Sequence, residues 1–423
     1  MKVVGFITEY NPFHNGHLYH LEKSKEISNS DFSISVMSGS FVQRGEPSLI
    51  DKWTKARMAI DNGVDLVIEL PVIYSLQSAE LFAYGGVKLL DSLGVVDYIA
   101  FGSEAGSLDD LNLISDILIA EPPEFKNSLK THLNSGNSYS VARSKAIDEY
   151  IEHNNLKVNN PPKSLLKSSN NILAIEYIKA LKKLNSHIKA VTFKRIINDY
   201  KNVDLTGNIS SATAIRNIIL NDDISKIKND LSSKSLEHLL NYKKKYGAYN
   251  KLENYSQILM YLLRTTNKNN MREIMDVETG LENRLKEHSY KYNDIKSVID
   301  YVTTKRYPRT RIQRILMQLL LGLNKKTFLE LNAHYPSYIR ILGANEKGIY
   351  LIKKIKERSS LPIINKFSDY NKYKNTILNR TIEFDKKATD LFFMGLNDEK
   401  YRYANQDFYI SPYIKKAQCS YHE

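Results

Sequence analysis

Cysteine and long apolar runs are almost missing from this chain of 423 residues. Its one cysteine, Cys419, excludes an intramolecular disulfide and leaves no thiolate cluster for a zinc site. The best candidate for a membrane span, LVIELPVIYSL, is interrupted by Glu69 and Pro71, so we expect no membrane-spanning helix. Residues 1–10 contain no apolar stretch of the length that a secretory signal needs. These absences predict a cytoplasmic protein.

Acidic residues are scarce relative to basic ones, but only in the second half of the chain. Residues 1–200 contain 21 Lys and Arg against 23 Asp and Glu, whereas residues 201–423 contain 39 against 24. The net charge of +13 therefore comes entirely from the second half. A polyanion would bind such a surface through its phosphates, so the asymmetry favours a nucleic-acid partner. A Lys-rich proteome alone would enrich both halves.

The first 200 residues alternate between strand and helix patterns. The strand patterns are VVGFI, FSISVMS, DLVIELP and DYIAFGS, and helical patterns follow at 16–27, 52–61 and 79–93. Continuous apolar strands between helices are typical of a doubly wound parallel sheet, so we predict a Rossmann-like α/β fold. Ligands of such sheets bind at the carboxyl ends of strands, where 9–17, 37–40 and 102–104 fall.

The length exceeds that of a usual single domain and predicts two or three domains. We place the boundary so that an α/β catalytic domain covers 1–230 and a mainly α-helical, basic region covers 231–423. In the second region the segment YIRILGANEKG at 338–348 has the pattern of a tight turn around Arg340.

The segment VVGFITEYNPFHNGHLYH at 3–20 combines a strand, a proline stop and the start of a helix. Free backbone N–H groups and the helix dipole favour an anion at that junction, and Gly16 allows close approach of a phosphate. His14 and His17, three residues apart, can donate hydrogen bonds to the same phosphorus centre. The short motif is also compatible with a surface turn. A zinc site that includes His20 is disfavoured, because no further ligand accompanies the histidines.

Two further segments have a structural and a functional interpretation. Ser210 and Ser211 precede a helical pattern containing Arg216, which fits either a helix cap or a second phosphate contact. Gln43, Arg44 and Glu46 lie in a loop expected to border the same crevice. They can shape a substrate pocket, or they can simply form a turn around Gly45.

The densest basic segment is TTKRYPRTRIQR at 303–314. Its arginines can bind phosphates and its tyrosine can stack on an exposed base. A solvated helix start after Pro308 is the alternative interpretation. The candidate nucleic-acid-binding residues are Lys305, Arg306, Tyr307, Arg309 and Arg311.

With these segments placed, the chain resembles the tRNA(Met) cytidine acetate ligase family, a branch of the HxGH nucleotidyltransferase-like superfamily. The resemblance covers essentially the whole chain through EYNPFHNGH, VMSGSFVQRGEP, DKWTKARMA, GVDLVIELP, FGSE, NNIL, SSATAIR, TTKRYPRTRIQR and YIRILG. It implies a ligase that activates acetate with ATP as acetyl-adenylate. The acetyl group then passes to N4 of the wobble cytidine of elongator tRNA(Met), giving N4-acetylcytidine.

The resemblance also implies site residues and cofactors. His14 and His17 would stabilise the α-phosphate transition state, and Mg²⁺ is expected to bridge the ATP phosphates. The residues implied to bind ATP are Ile7, Thr8, Glu9, Tyr10, Asn11, Pro12, Phe13, His14, Asn15, Gly16, His17, Leu18, Tyr19, His20, Gly102, Asn171, Arg195, Ile196, Ser211 and Arg216.

The chain departs from the family pattern at two places. Lys201 and Asn202 follow Tyr200 where the family has a His-Asp pair, and Ser169 stands where a proline usually precedes the asparagine pair. Two other functions stay open from the sequence. One is a small-molecule nucleotidyltransferase without an RNA substrate, and the other is a tRNA-binding protein with an inactive nucleotide site. The sequence does not give the oligomeric state.

Overall fold

The computed structural model describes residues 1–195, 211–221 and 223–416 of the chain. The strands are β1 (Val3–Thr8), β2 (Phe32–Ser38), β3 (Phe41–Val42), β4 (Glu46–Pro47), β5 (Leu66–Leu70), β6 (Tyr98–Ser103), β7 (Lys189–Lys194), β8 (Ile339–Ala344), β9 (Ile363–Ile364) and β10 (Tyr413–Ile414). The predicted ATP contact Ile196, and also Tyr200, Lys201, Asn202, Ser210 and Cys419, lie outside the described residues.

Helices make up most of the rest of the described chain. They are α1 (Asn15–Ser28), α2 (Lys52–Asp61), α3 (Val72–Ser75), α4 (Ala79–Ser92), α5 (Asp109–Ala120), α6 (Pro123–Asn134), α7 (Tyr139–His153), α8 (Pro162–Leu165), α9 (Ser169–Lys183), α10 (Ala212–Leu220), α11 (Ser233–Tyr246), α12 (Ser256–Thr265), α13 (Lys268–Arg272), α14 (Leu281–Lys291), α15 (Ile295–Val302), α16 (Arg309–Leu321), α17 (Lys325–Ala333), α18 (Glu346–Arg358), α19 (Thr376–Met394) and α20 (Gln406–Tyr409). Short 3₁₀ helices occupy Ile224–Asp230, Leu252–Tyr255, Phe367–Lys372 and Glu399–Tyr401.

Five parallel strands form the centre of the sheet in the order β5-β2-β1-β6-β7. The chain moves outward from β1 through β2 to β5, and then returns to the other side of β1 for β6 and β7. The strand order therefore reverses between β1 and β6, which is where doubly wound sheets bind ligands. This arrangement confirms the Rossmann-like fold predicted from the alternating strand and helix patterns.

Side chains alternate between two apolar cores, one on each face of the sheet. Val3 belongs to the core that also contains Ile34 and Leu66, whereas Val4 packs in the opposite core with Val67. Helices α4, α5 and α9 cover the first face, and α1, α2, α10 and α11 cover the second. Burial on both faces explains why the strands read as continuous apolar runs in the sequence.

Strand β8 occupies residues for which the sequence predicted a tight turn, and that prediction is wrong. All six residues of β8 are buried, and the strand pairs antiparallel with β5. Strands β9 and β10 lie parallel to β8, so the sheet is mixed rather than wholly parallel. The prediction failed because β8 becomes a strand through tertiary pairing. Its partner β5 precedes it by some 270 residues, and no local sequence pattern indicates that pairing. The turn-like glycine at 348 instead lies in α18, where a Cβ atom would stand 2.0 Å from the Asp65 carbonyl oxygen.

The division into segments 1–230 and 231–423 stays a prediction. The second segment is mainly helical, but its strands β8, β9 and β10 share the sheet of the first segment. The two segments are therefore joined through a common sheet edge.

Buried charges hold the C-terminal residues against this edge. The Nζ atom of Lys52 lies 2.9 Å from both carboxylate oxygens of Glu69 and 2.8 Å from Oδ1 of Asp407. The guanidinium of Arg340, on β8, donates to the same Asp407 oxygen at 3.0 Å. Asp385, from α19, accepts from the Val72 backbone N–H at 2.7 Å and from the Tyr338 hydroxyl. Removing one partner of a buried ion pair of this kind lowers the free energy of unfolding by several kcal/mol.

Asp385→Asn should change the pH dependence of stability. Burial, followed by the nearby Glu69 carboxylate, raises the pKa of Asp385 to about 8, far above the value of an unfolded chain. The folded state therefore binds the extra proton, and its stability falls as pH rises from about 4 to 8, by at most about 1.4 kcal/mol per pH unit. The neutral amide removes this dependence. Urea unfolding at several pH values measures the difference.

The exposed Asp116 gives a matched control, since its carboxylate pairs with Lys182 at the surface. Asp116→Asn should leave the wild-type pH dependence unaltered. Stability curves of wild type and Asp385→Asn that stay parallel between pH 4 and 8 would contradict the assignment.

Candidate active site

A cavity of about 310 Å³ opens at the carboxyl ends of β1 and β6, where the strand order reverses. Its volume lies in the range of small-molecule sites. It is lined by Ile7, Thr8, Glu9, His14, Gly16, His17, Tyr19, His20, Gln43, Arg44, Phe82, Ala100, Phe101, Gly102, Ser169, Asn170, Leu173, Tyr177, Phe193, Arg195, Ser211, Ala212, Thr213 and Arg216.

The two histidines of the HxGH motif hold the first turn of α1 by reciprocal hydrogen bonds. The backbone N–H of Gly16 donates to Nδ1 of His14 at 3.0 Å, and the backbone N–H of His14 donates to Nδ1 of His17 at 3.3 Å. Both rings therefore use Nδ1 as an acceptor. In a neutral imidazole the remaining nitrogen, Nε2, then carries the proton. Each histidine thus keeps one N–H donor beyond the capping contacts.

The surroundings keep these imidazoles uncharged. Burial, followed by the charges of Arg195 and Arg216, lowers the pKa of His14 to about 3. Burial and the neighbouring His14 lower the pKa of His17 well below its usual value. Burial is also the main reason that the pKa of His20 is lowered to about 4. At neutral pH these side chains are neutral hydrogen-bond donors.

Arginines supply the fixed positive charge of the cavity. Arg195 follows β7, and its guanidinium donates to Oδ1 of Asn170 at 2.9 Å. Arg216 lies on α10 and donates to the Asn11 carbonyl oxygen at 3.1 Å, which connects α10 to the HxGH loop. Ser211 caps the same helix by accepting from the Ala214 backbone N–H at 3.2 Å. Two helix N-termini, two arginines and neutral imidazole donors make a site suited to a polyphosphate.

The cavity brings together most of the residues predicted to bind ATP. Those that line it are Ile7, Thr8, Glu9, His14, Gly16, His17, Tyr19, His20, Gly102, Arg195, Ser211 and Arg216. The predicted residues that do not line it are Tyr10, Asn11, Pro12, Phe13, Asn15, Leu18 and Asn171.

The non-lining residues that have polar side chains hold the surrounding loops. Oδ1 of Asn11 accepts from the Leu49 backbone N–H at 2.7 Å. Oδ1 of Asn171 accepts from the backbone N–H groups of Glu104 and Ala105 at 2.9 and 3.2 Å, which fixes the loop after β6.

Sequence reasoning missed several lining residues. Asn170 and Thr213 lie inside motifs that the sequence analysis singled out, so their neighbours could have pointed to them. Phe82 and Tyr177 lie on α4 and α9, where an apolar helix face gives no sign of facing a cavity.

Comparisons with known proteins found relatives that match nearly the whole chain in sequence and in structure. The sequence model of the HIGH Nucleotidyl Transferase family matches residues 1–407. A protein from Thermoanaerobacter sp. (strain X514), named tRNA(Met) cytidine acetate ligase, is 45% identical over 98% of this chain and 100% of its own length. This chain belongs to the tRNA(Met) cytidine acetate ligase family.

Other members of the family agree in length and structure. The tRNA(Met) cytidine acetate ligase of Acetivibrio thermocellus is 42% identical over 96% of this chain and 98% of its own. The crystal structure of Thermotoga maritima TmcAL bound with alpha-thio ATP superimposes with a TM-score of 0.92 at 34% identity. That match covers 99% of this chain and 100% of the other.

The family's basic segment lies at the start of α16, and its arginines already have acidic partners. Arg306 pairs with Glu278 at 2.8 Å, and Arg311 donates to the same carboxylate at 2.9 Å. Arg309 pairs with Asp300. Lys305 is exposed, and the half-buried ring of Tyr307 lies beneath the guanidinium groups of Arg306 and Arg311.

A tight contact connects this segment to the cavity. Gly45, in the turn between β3 and β4, has φ of 76° and packs so closely on α16 that a Cβ atom would lie 2.2 Å from the Arg314 backbone nitrogen. Nε2 of Gln313 donates to Oε1 of Glu46 at 3.0 Å. The turn that places Gln43 and Arg44 in the cavity wall is therefore fixed on the helix that begins with the basic segment.

Gly102→Ala should weaken ATP binding without unfolding the protein. A Cβ atom at this position would lie 2.7 Å from Cγ of Arg195, so the arginine must move away from its place in the cavity wall. Loss of one charged hydrogen bond predicts about a tenfold rise in Kd for ATP. Isothermal titration calorimetry measures the affinity, and the thermal midpoint serves as the control. An unchanged Kd would remove Arg195 from the ATP contacts.

Proposed function

We propose that this chain activates acetate with ATP and transfers the acetyl group to N4 of the wobble cytidine of elongator tRNA(Met). The product is N4-acetylcytidine. The observation that carries the proposal is the fixed pair of neutral imidazoles at the start of α1, facing a cavity that also contains Arg195 and Arg216. The printed names of the relatives supply the substrates.

The geometry supports adenylation at the α-phosphate. An acetate oxygen attacks phosphorus and pyrophosphate leaves, so negative charge develops on the phosphate oxygens. Nε2–H groups of His14 and His17 donate to that charge without needing to release or accept a proton. Arg216 and the hydroxyl of Ser211 contribute at the second helix start, where the dipole also favours an anion. The resulting mixed anhydride is a good acyl donor, so no catalytic cysteine is required.

The ATP contacts extend the proposal to particular residues. We assign the phosphates to the two histidines, Ser211 and Arg216, and the rest of the nucleotide to the wall around Gly102 and Arg195. Ile196 belongs to the proposed set but lies outside the described residues.

Mg²⁺ is also part of the proposal. Within the described residues no group of three His, Cys, Asp or Glu side chains could hold a metal ion. The residues present therefore fit a Mg²⁺ that is held by the ATP phosphates rather than by a protein cage.

The tRNA is proposed to bind along the basic second half, including Lys305, Arg306, Tyr307, Arg309 and Arg311. We also propose that the acetylation of the tRNA takes place in the cytoplasm. None of the helices in the described part of the chain has the length and apolarity required to cross a membrane.

The comparisons do not favour the two alternatives. A small-molecule nucleotidyltransferase would not account for the charge of the second half. An inactive nucleotide site would not need the hydrogen-bonded histidines and the arginines that line the cavity.

A reconstituted assay tests the function as a whole. Purified protein is incubated with ATP, Mg²⁺, labelled acetate and unmodified elongator tRNA(Met), and the nucleosides are analysed. We expect label in N4-acetylcytidine, and no label when any component is omitted. Pyrophosphate release without labelled tRNA would mean that the acceptor is wrong. Absence of both products would overturn the proposal.

His17→Asn should lower acetate-dependent ATP–pyrophosphate exchange by at least about 100-fold, because the Nε2–H donor is lost at the α-phosphate. Affinity for tRNA should change less than about twofold, measured by filter binding. His187→Asn is the matched control, because the His187 ring is 63% exposed on the surface. Undiminished exchange by His17→Asn would remove the HxGH histidines from the mechanism.

Replacing Lys305 and Arg309 together by Ala should weaken tRNA binding and flatten its salt dependence. Each lost phosphate contact reduces the magnitude of the negative slope of log K against log salt by about 0.7 to 0.9. These two side chains are chosen because Arg311 also holds the Asp276 carbonyl oxygen and is needed for structure. Lys356→Ala, an exposed lysine on α18, is the control. An unchanged slope would favour a solvated helix start.

A further inference from the structure

Glu9 stands apart from the other side chains that line the cavity. Among the described lining residues it carries the single carboxylate, in a wall that otherwise presents imidazoles and three arginines. A carboxylate repels the phosphates of ATP and the carboxylate of acetate, so the donors left for it are the hydroxyl and amino groups of adenosine and the amino group of cytosine. Its natural ligand is a group that bears hydrogen-bond donors.

One oxygen of Glu9 is fixed and the other is available. Oε1 accepts from the Gln43 backbone N–H at 2.6 Å, and no other described residue donates a hydrogen bond to this carboxylate. The nearby Lys55 donates instead to the Glu9 backbone carbonyl at 3.1 Å, to the Ser38 carbonyl at 2.7 Å and to Oγ of Ser48 at 2.7 Å. Lys55 therefore fixes the end of β1, and it attracts the Glu9 carboxylate through charge without a hydrogen bond to it.

Arg44 supplies donors beside this acceptor. It follows Gln43 in the turn and lines the same cavity. Among the described residues no hydrogen bond or ion pair involves its guanidinium, whereas Arg195 donates to Asn170. Within the described residues no ion pair joins the Glu9 carboxylate to Arg44, although both residues line the cavity.

This pair matches the Watson–Crick edge of cytosine. That edge presents the N4 amino group as a donor, and N3 and O2 as acceptors. A carboxylate accepts from N4, and a guanidinium donates to N3 or O2. Uracil would place the O4 carbonyl oxygen against the carboxylate and would offer an N–H in place of the N3 acceptor, so the contact with Glu9 would be lost and only O2 would remain for the guanidinium.

We propose that Glu9 and Arg44 form the cytosine subsite and that Glu9 accepts the N4 proton during acetyl transfer. This inference rests on the proposed function and deepens it. The N4 lone pair attacks the acetyl carbonyl carbon, and the bond from that carbon to the phosphate oxygen breaks to release AMP. The proton that N4 loses passes to the free oxygen of Glu9. Atoms and charge balance as N4-acetylcytidine, AMP and one proton.

The turn between β3 and β4 lies between the cavity and the basic segment, so a base of a tRNA bound at that segment can reach the proposed subsite. A wobble base must leave its stack to enter a cavity, as other nucleobase-modifying enzymes require. Gly45 and Glu46 contact α16, the helix that begins with the basic segment. A tRNA held at that segment would therefore meet the subsite across a single turn of chain.

Glu9→Gln separates the two half-reactions. The amide oxygen can still accept from the Gln43 N–H, so the loop keeps its hydrogen bond. We expect single-turnover transfer to tRNA to fall by about 100-fold, the effect of losing a general base, and to fall at least about tenfold more than ATP–pyrophosphate exchange, which reports any part that Glu9 takes in binding ATP. Glu121→Gln is the matched control, because that carboxylate is exposed, pairs with Lys126 at the surface and does not line the cavity.

A binding measurement tests the subsite without relying on catalysis. Wild-type protein is compared on tRNA(Met) with cytosine and with 2-pyrimidinone, which lacks the amino group, at the wobble position. We expect about tenfold weaker binding of 2-pyrimidinone by wild type, and no such difference for Glu9→Gln. Arg44→Met should weaken binding of both, and Arg44→Lys should restore part of it.

The outcomes distinguish this inference from the proposed function. Equal loss of exchange and transfer by Glu9→Gln would assign Glu9 to the ATP site and overturn the inference. Equal binding of the two tRNAs by wild type would also overturn it, even if the variant failed to fold. Absence of acetylation by wild type would instead overturn the proposed function.

Discussion

The reciprocal hydrogen bonds at the start of α1 set the chemistry of the whole cavity. Because both Nδ1 atoms accept backbone N–H groups, His14 and His17 are confined to one tautomer and one orientation. Burial then prevents them from becoming imidazolium at neutral pH, so they present neutral N–H donors in the cavity wall. Neutral donors in fixed positions favour the charge that develops as pyrophosphate leaves.

The local patterns of the sequence were sufficient to predict the strand and the helix that flank the HxGH motif. A strand predicted to run from Val3 to Ile7 ends at Thr8, and the helix predicted at 16–27 spans Asn15–Ser28. Burial of the strands on both faces made each one visible by itself. Strand β8 was not visible, since its short apolar run is flanked by Arg340 and glycine. Only its pairing with β5 makes it a strand, and pairing across most of the chain leaves no local pattern.

The same limit applies to the site. Histidine, serine and arginine at helix starts could be found because their chemistry is local to the motif. Phe82 and Tyr177 come from two helices that pack together, so their meeting in the cavity wall depends on tertiary structure. Asn171 was predicted to bind ATP, and the structure places its amide oxygen on the Glu104 and Ala105 backbone. A motif indicates the region of a site more reliably than it separates a lining residue from one that holds the loop behind it.

A ligase of this kind must perform two steps with opposite needs in one cavity. Adenylation brings together two anions, which requires donors and positive charge. Acetyl transfer requires an acceptor for a proton, which a wall of donors cannot supply. The Glu9 carboxylate is proposed to satisfy the second need, and within the described residues no ion pair with Arg44 neutralises it. Its anchorage through Gln43 places it on the turn that also contacts α16. The proton acceptor is therefore fixed to the segment through which the proposed tRNA would dock, and the donors are fixed to α1 and α10.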